Sequence, residues 1–359
     1  MSVSKKAKAL YYAVFDGMEE FAANTILKLQ ECRDLHKYLT KEPVPKDFAK
    51  EYKEYWSKYG KFSPKWGWYY ASKNGNVDVR YVPHTLYYTT IDQHFNARKL
   101  GWGFNDKNYY SKIFSEIKQP KTVVRNCGTI FTDEDYHQIT VEEVFEKIMK
   151  YDEVICKPSQ ESGSGRGIEF WRCAEDKDKI KAFLNDKNNE DYVVQEVLKQ
   201  HEELNKVHAS SINTVRICSI LLSDGVHILS SCLRMGMNKS RVDNVTAGGI
   251  SAGINPDGTL QEFAYNYYTG EKTAVHPQGY VFKGQKVPSY DKAVELVMKA
   301  HPVIGHFRLV SWDIAIDEVG DAVLIEANMR KGGINLHQFS NGPLFGDLTE
   351  RVMNEVYGK

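Results

Sequence analysis

Apolar and polar positions follow two rhythms along this 359-residue chain, and the change between them marks its organisation. Up to about residue 60, lysines and glutamates are spaced by Tyr, Phe, Leu and Trp at helical intervals, which predicts amphipathic helices. VRYVPHTLYY, the helix-like DKNYYSKIF and the strand-like KTVVRN follow. From about residue 140 the order becomes regular: helix VEEVFEKIMKY, strand EVICKP, a glycine-rich turn, strand GIEFWRC, helix DKIKAFLND, strand DYVVQEV. After residue 205 strands dominate, as TVRICSILLS, GVHILSSCLRMG and SAGINPDG, with SDG (223–225) and PDG (256–258) as antiparallel turns. A helix carrying Ala293, Leu296, Val297 and Ala300 on one face precedes the last two strands, SWDIAID and AVLIEAN. Strands joined by tight turns predict an α+β fold and not a doubly wound parallel sheet. No repeat of fixed period and no low-complexity tract interrupts the pattern.

Composition narrows the picture. The 47 basic and 47 acidic residues cancel, and 42% of the chain is apolar, so it is globular, with a length that fits about two domains or one large α/β unit with subdomains. Zero net charge argues against a protein that coats nucleic acid or anionic lipid. That balance decides the stretch Glu51–Tyr70, where lysines interleave with Tyr52, Tyr55, Trp56, Tyr59, Trp66, Trp68 and Tyr69. A basic stacking surface is one reading. The favoured one is a helix and a strand that bury the aromatics and leave the lysines wet. No apolar run reaches membrane-spanning length, and the opening segment acquires Asp16, Glu19 and Glu20 without a cleavage site. A cytoplasmic protein with no membrane span is expected. Cysteines at 32, 127, 156, 173, 218 and 232 show no CxxC spacing, which predicts reduced thiols, not a disulfide frame or zinc site.

Three clusters carry chemistry. In EVICKPSQESGSGRGIEFW, Lys157 ends an apolar strand, and Ser162, Gly163, Ser164, Gly165, Arg166 and Gly167 follow. Glycines let consecutive backbone N–H groups close on an anion, and the lysine supplies charge, as in a hairpin tip folded over phosphates. The order is neither GxxxxGK[ST] nor a GxGxxG opening a helix. In SWDIAIDEVGDAVLIEANMRKGG, alternation places Glu326 and Asn328 on one strand face, with Leu324 before them, and Asp313 on the neighbouring strand. Two carboxylates and an amide oxygen form a hard donor set suited to Mg²⁺; a solvated edge-strand face is the alternative. Arg216, Arg234, Lys239 and Arg241 form a basic cluster, beside Asn244, Gly248 and Gly249. A salt bridge to Asp243 or Asp313 accounts for one of these arginines but not for all.

In this order the clusters resemble an ATP-grasp enzyme, from about Lys107 to Asn341. CKPSQESGSGRGI resembles the lysine and phosphate-covering loop of D-alanine–D-alanine ligases, and WDIAID…VLIEAN the metal-binding Asp, Glu and Asn. SSINTVRI, RVDNVTAGGISAGI and HPQGYVFKGQKVPSYDKAVELV are similar to the sugar-transfer-associated ATP-grasp group, whose members act on cell-surface polysaccharides. The resemblance implies two α+β lobes clasping ATP behind an N-terminal, mainly helical domain, with boundaries at 1–120, 121–205 and 206–359. It implies Lys107 and Lys157 on the nucleotide, with Ser162 to Gly165 over the phosphates. Gln195, Glu196, Val197 and Leu198 fall at the adenine, and Glu202 or Glu203 at the ribose. Arg216, Arg234 and Arg241 fall on the transferred phosphoryl group, and Asp313, Glu326 and Asn328 on one or two Mg²⁺, which Mn²⁺ replaces. The implied reaction is a carboxylate–amine ligation through an acyl-phosphate, with an amino acid and a sugar as candidate substrates. A kinase acting on a hydroxyl and a non-catalytic nucleotide-binding module are the alternatives. Among histidines 201, 208, 276, 301 and 306, His276 in its HPQG turn is the candidate nearest to substrate.

Overall fold

The computed structural model describes residue 25 and residues 43–358, except 161–166, 239, 244–247 and 331. The chain divides into two compact units, one formed by residues 1–94 with 345–359 and the other by 95–344.

In the described part of the first unit, α1 (Lys46–Ser57) and α2 (Lys65–Asn74) are followed by one π-helical turn, Tyr87–Ile91, and by the C-terminal helix Thr349–Tyr357. The stretch 65–74 is therefore helical and not a strand. Its aromatic run has strand propensity, but burial of Trp66, Tyr69 and Tyr70, with Trp66 stacked on His84 and Tyr70 on Tyr81, overrides it. Tyr52 and Trp56 are fully buried, and their polar tips donate to the carbonyls of Tyr81 and Val79 at 3.0 and 2.8 Å. The aromatics of this segment are core, as the charge balance predicts.

The second unit holds two antiparallel sheets. The first comprises β1 (Thr122–Cys127), β2 (Ile130–Thr132), β3 (Gln138–Ile139), β4 (Glu153–Pro158), β5 (Glu169–Arg172) and β6 (Tyr192–Glu196), in the order β3-β2-β1-β6-β4-β5. Helices α3 (Val141–Ile148) and α4 (Lys177–Asn185) cover one face, where Val144, Ile148, Ile180 and Leu184 pack on Val154, Cys156, Trp171 and Val194. A reciprocal capping box between Thr140 and Glu143 starts α3. The second sheet comprises β7 (Val215–Leu222), β8 (Gly225–Met235), β9 (Ile250–Ile254), β10 (Leu260–Asn266), β11 (Lys272–Thr273), β12 (Leu309–Ile316) and β13 (Ala322–Asn328), in the order β11-β10-β9-β8-β7-β12-β13. Helix α5 (Tyr290–Ala300) buries the expected stripe of Ala293, Leu296, Val297 and Ala300 against it. On the opposite face α6 (Asn335–Asn341) packs on β8, β9 and β10, with Leu336 against Cys232.

The α+β class and the antiparallel connections read from the sequence are borne out. Among the described residues no helix is long and apolar enough to cross a membrane. The five described cysteines are free thiols.

Candidate active site

Alternation along β4 turns Cys156 into the core and Ile155 and Lys157 into a cavity of about 1160 Å³ between the two sheets. Lys157 is only 7% exposed, and among the described residues no acceptor lies within hydrogen-bonding distance of its ammonium. Burial, reinforced by the neighbouring Lys107 charge and opposed by Glu326, lowers its pKa to about 8. A buried cation with no counter-ion is costly unless an anion is meant to arrive.

Lys107 enters from a short helical turn, Lys107–Tyr109. The Asp106 carboxylate caps that turn by accepting from the Asn108 N–H at 2.9 Å. The Lys107 N–H donates to the Ser159 carbonyl at 2.8 Å, which ties the turn to the end of β4. The Lys107 ammonium lies 2.8 Å from Glu326 Oε1. Burial alone would raise the Glu326 pKa, but Lys107 outweighs it and holds the carboxyl below its ordinary value.

The floor is a row across three strands, because the register sets Arg216 opposite Asp313 and Asp313 opposite Glu326. Arg216 donates through Nε and Nη2 to the two Asp313 oxygens at 2.7 and 2.6 Å. Arg234 Nη1 reaches the same carboxylate at 2.9 Å, and its Nη2 lies 3.5 Å from Asp243. Despite the burial of Asp313, the two guanidiniums hold its carboxyl far below the usual range. Where the sequence points to an acidic partner for one arginine, all three have one. Arg241 makes a bidentate pair with Glu153 on β4 at 2.6 and 2.9 Å and stacks on the Phe170 ring of β5 at 3.7 Å. This side chain belongs to the second sheet's loop and clasps the first sheet.

Glu326 and Asn328 both line the cavity, but Leu324 does not share their face. A β-bulge shifts the register so that Asp313 opposes Glu326 and Ile314 opposes Leu324, leaving Ile325 as the extra residue. Leu324 joins the core, while Ile325 and Glu326 both line the cavity. Asn328 Nδ2 donates to the Ser311 carbonyl at 3.1 Å and lies 3.3 Å from Asp313 Oδ2. The Asn328 Oδ1 and the second Glu326 oxygen are then the hard donors left for a cation. These two residues fit Mg²⁺. Asp313, with both oxygens taken by arginines, fits as their anchor. Among the described residues no three His, Cys, Asp or Glu side chains converge as a metal site.

Gln195, Glu196, Val197 and Leu198 line the cavity where β6 ends. The Gln195 Oε1 is buried with no hydrogen-bond partner among the described residues. Glu202 also lines the cavity, whereas Glu203 pairs with Lys206 at 2.5 Å. Ser162, Gly163, Ser164 and Gly165, with Lys239 and Asn244, lie outside the described residues. His276 is committed elsewhere: its Nε2 donates to the Gly236 carbonyl at 3.0 Å and its Nδ1 accepts from the Gln278 N–H. His301 is similarly held by Ser219 and the Phe307 carbonyl. Sequence reasoning missed the apolar wall of Ile155, Ile168, Phe170 and Ile325. Ile155 was available from alternation, two positions before Lys157; Ile325 was not, because only the bulge turns it inward.

A family model described as sugar-transfer associated ATP-grasp matches residues 88–354. The chain belongs to that family. Membership bears out the ATP-grasp resemblance drawn from the three clusters. No curated protein matches this family member. Similar solved structures include the ATP-grasp ligase PsnB complexed with minimal precursor, Mg and ADP, at 13% identity and TM-score 0.43 over 73% of this chain and 62% of that one. D-alanyl-alanine synthetase A from Vibrio cholerae is 12% identical at TM-score 0.41, over 71% of this chain and 64% of its own. D-cycloserine synthetase DcsG is 11% identical at TM-score 0.41, over 69% and 70%. This chain thus spans less than two thirds of the length of the first two.

Proposed function

We propose that this ATP-grasp family member is an ATP- and Mg²⁺-dependent ligase that activates a carboxylate as an acyl-phosphate and joins it to an amine. The observation that carries the reading is Lys157, a buried ammonium with no ion-pair partner among the described residues, beside the Lys107–Glu326 pair and the Arg216–Asp313–Arg234 row. In this reading Gln195 to Leu198 hold the base, Glu202 the ribose, and Lys107 and Lys157 neutralise the phosphates. Ser162 to Gly165 cover them. Glu326 and Asn328 hold Mg²⁺ or a substituting Mn²⁺, which offsets charge on the phosphate oxygens. Arg216 and Arg234, anchored on Asp313, face the phosphoryl group as it transfers; preorganised donors of this kind stabilise developing charge without reorganising. Arg241 acts by holding Val242 and Asp243 at the cavity rim, through its grip on Glu153 and Phe170.

The family description supports a sugar-linked role, with an amino acid attached to a sugar acid or amino sugar of a surface polysaccharide. The division into residues 1–120, 121–205 and 206–359 belongs to the same proposal, as does a cytoplasmic location, which reduced thiols and balanced charge support.

Hydroxylamine trapping tests the reaction. Purified protein is incubated with Mg-ATP, hydroxylamine and pools of amino acids and sugar acids. ADP, free phosphate and a hydroxamate from one pool are the expected products. AMP with a hydroxamate means adenylation and sinks the proposal, and ADP with phosphate retained on an acceptor means a kinase.

A further inference from the structure

Strand β13 ends the second sheet, so among the described residues one of its edges has no neighbouring strand. Along that edge the Leu324 N–H donates to the Lys118 carbonyl at 2.9 Å. Three residues on, the Ala327 N–H donates to the Tyr110 hydroxyl at 3.2 Å, and that hydroxyl faces the Ala327 carbonyl at 3.4 Å. These two contacts bracket the bulge at Ile325. Between them lies Glu326, and immediately after them Asn328.

A bulge is the point where a ladder fixes its strand least, because the extra residue has no opposite number. The aim of the side chains just beyond it depends on what grips the free edge. Here the grip is a phenol. Tyr110 stands one helical turn after Lys107, whose ammonium takes Glu326 Oε1 at 2.8 Å. One short stretch, residues 107–110, therefore holds Glu326 by its carboxylate and the next residue by its backbone. The Tyr110 ring is itself fixed, edge-on to Phe114 at 5.4 Å, and Phe114 is edge-on to Trp312 at 6.0 Å. Burial, with Glu326 nearby, raises the Tyr110 pKa and keeps the phenol a neutral donor.

We propose that the Tyr110 hydroxyl is a positioning group that sets the aim of Glu326 and Asn328 by pinning the backbone between them. The inference rests on the ligase reading, in which those two side chains hold the cation. A group that orients cation ligands from behind changes metal affinity about tenfold or more when removed.

The test is Tyr110→Phe, which keeps the ring and deletes the hydroxyl. Mg²⁺ binding in the presence of ADP is followed by calorimetry, beside the Mg²⁺ concentration for half-maximal hydroxamate formation. Both should weaken about tenfold, with the ATP KM at saturating Mg²⁺ within about twofold of wild type. Phe114→Leu, which loosens the same packing but keeps the hydroxyl, should lower the melting temperature and leave the Mg²⁺ requirement unchanged. Equal Mg²⁺ affinity in Tyr110→Phe and wild type overturns the positioning role alone. Wild-type protein that binds no Mg-nucleotide overturns the ligase reading, and this inference with it. If Tyr110→Phe does not fold, amide exchange in the wild type decides. A strongly protected Ala327 amide, on an edge with no described neighbouring strand, supports the pin, and exchange at loop rates removes it.

Discussion

Lys157 concentrates the trade between stability and function. Its folded-state pKa of about 8 lies below the value near 10.4 in an unfolded chain, so between those values the unfolded state binds more protons. The stability of the ligand-free protein should therefore rise as pH increases from about 8 towards 10. Nucleotide binding should run the other way: above pH 8 the ammonium must be reprotonated, and the Kd should grow about tenfold per pH unit. Titration calorimetry from pH 7 to 9.5 checks this, and a flat profile contradicts the assignment of Lys157 to the nucleotide. Lys157→Met should abolish ATP turnover yet stabilise the empty fold at pH 7 by about 3 kcal/mol, seen as a raised melting temperature. The lysine's position at a strand end before proline was readable from the sequence. Its isolation from every described carboxylate was not, because that depends on Lys107 having taken Glu326 across 219 positions of chain.

At the scale of elements, strands built on apolar runs were legible: β4, β7, β8, β12 and β13 all coincide with such runs in the sequence. Short or mixed elements were not. Strands β2 and β3 are three and two residues long, and α6 buries His337, Gln338 and Ser340, so its sequence looks like loop. The helix α2 was hidden by its aromatics. It also contains Gly67, which sits where a Cβ would meet the Tyr52 ring at 2.4 Å and Phe48 at 2.9 Å. The Tyr52 ring cannot yield freely, since its hydroxyl is pinned to the Tyr81 carbonyl. Gly67→Ala gains about 1 kcal/mol of helix propensity. Overpacking against α1, worth about 1–3 kcal/mol, should outweigh it, so a net lowering of the urea midpoint is expected. An unchanged or raised midpoint would show that the two helices separate at little cost.

Across the 95–344 unit, the candidate site is drawn from both sheets, and two side chains reach across it. Lys107 reaches Glu326, while Arg241 reaches Glu153 and Phe170. The Arg241 pair is partly exposed, at 44% and 26%, so a double-mutant cycle on Glu153 and Arg241 should give a coupling of only about 0.5–1 kcal/mol. Nucleotide dissociation should nonetheless quicken in Arg241→Ala, with hydroxamate yield per bound ATP unchanged. A loss of yield instead would return Arg241 to the reacting phosphate. The bulge in β13 has a consequence best put in genetic terms. A regular strand spells one message on each face, using every second codon. The surplus codon at 325 lets two consecutive letters, one oily and one acidic, be read from the same side. Losing that codon leaves Leu324, Glu326, Ala327 and Asn328 alternating as before and erases only the oily letter. Losing codon 327 puts Glu326 and Asn328 on opposite faces and sends one of them into the core. Within this strand, inheritance can tolerate one deletion and not its neighbour two positions on.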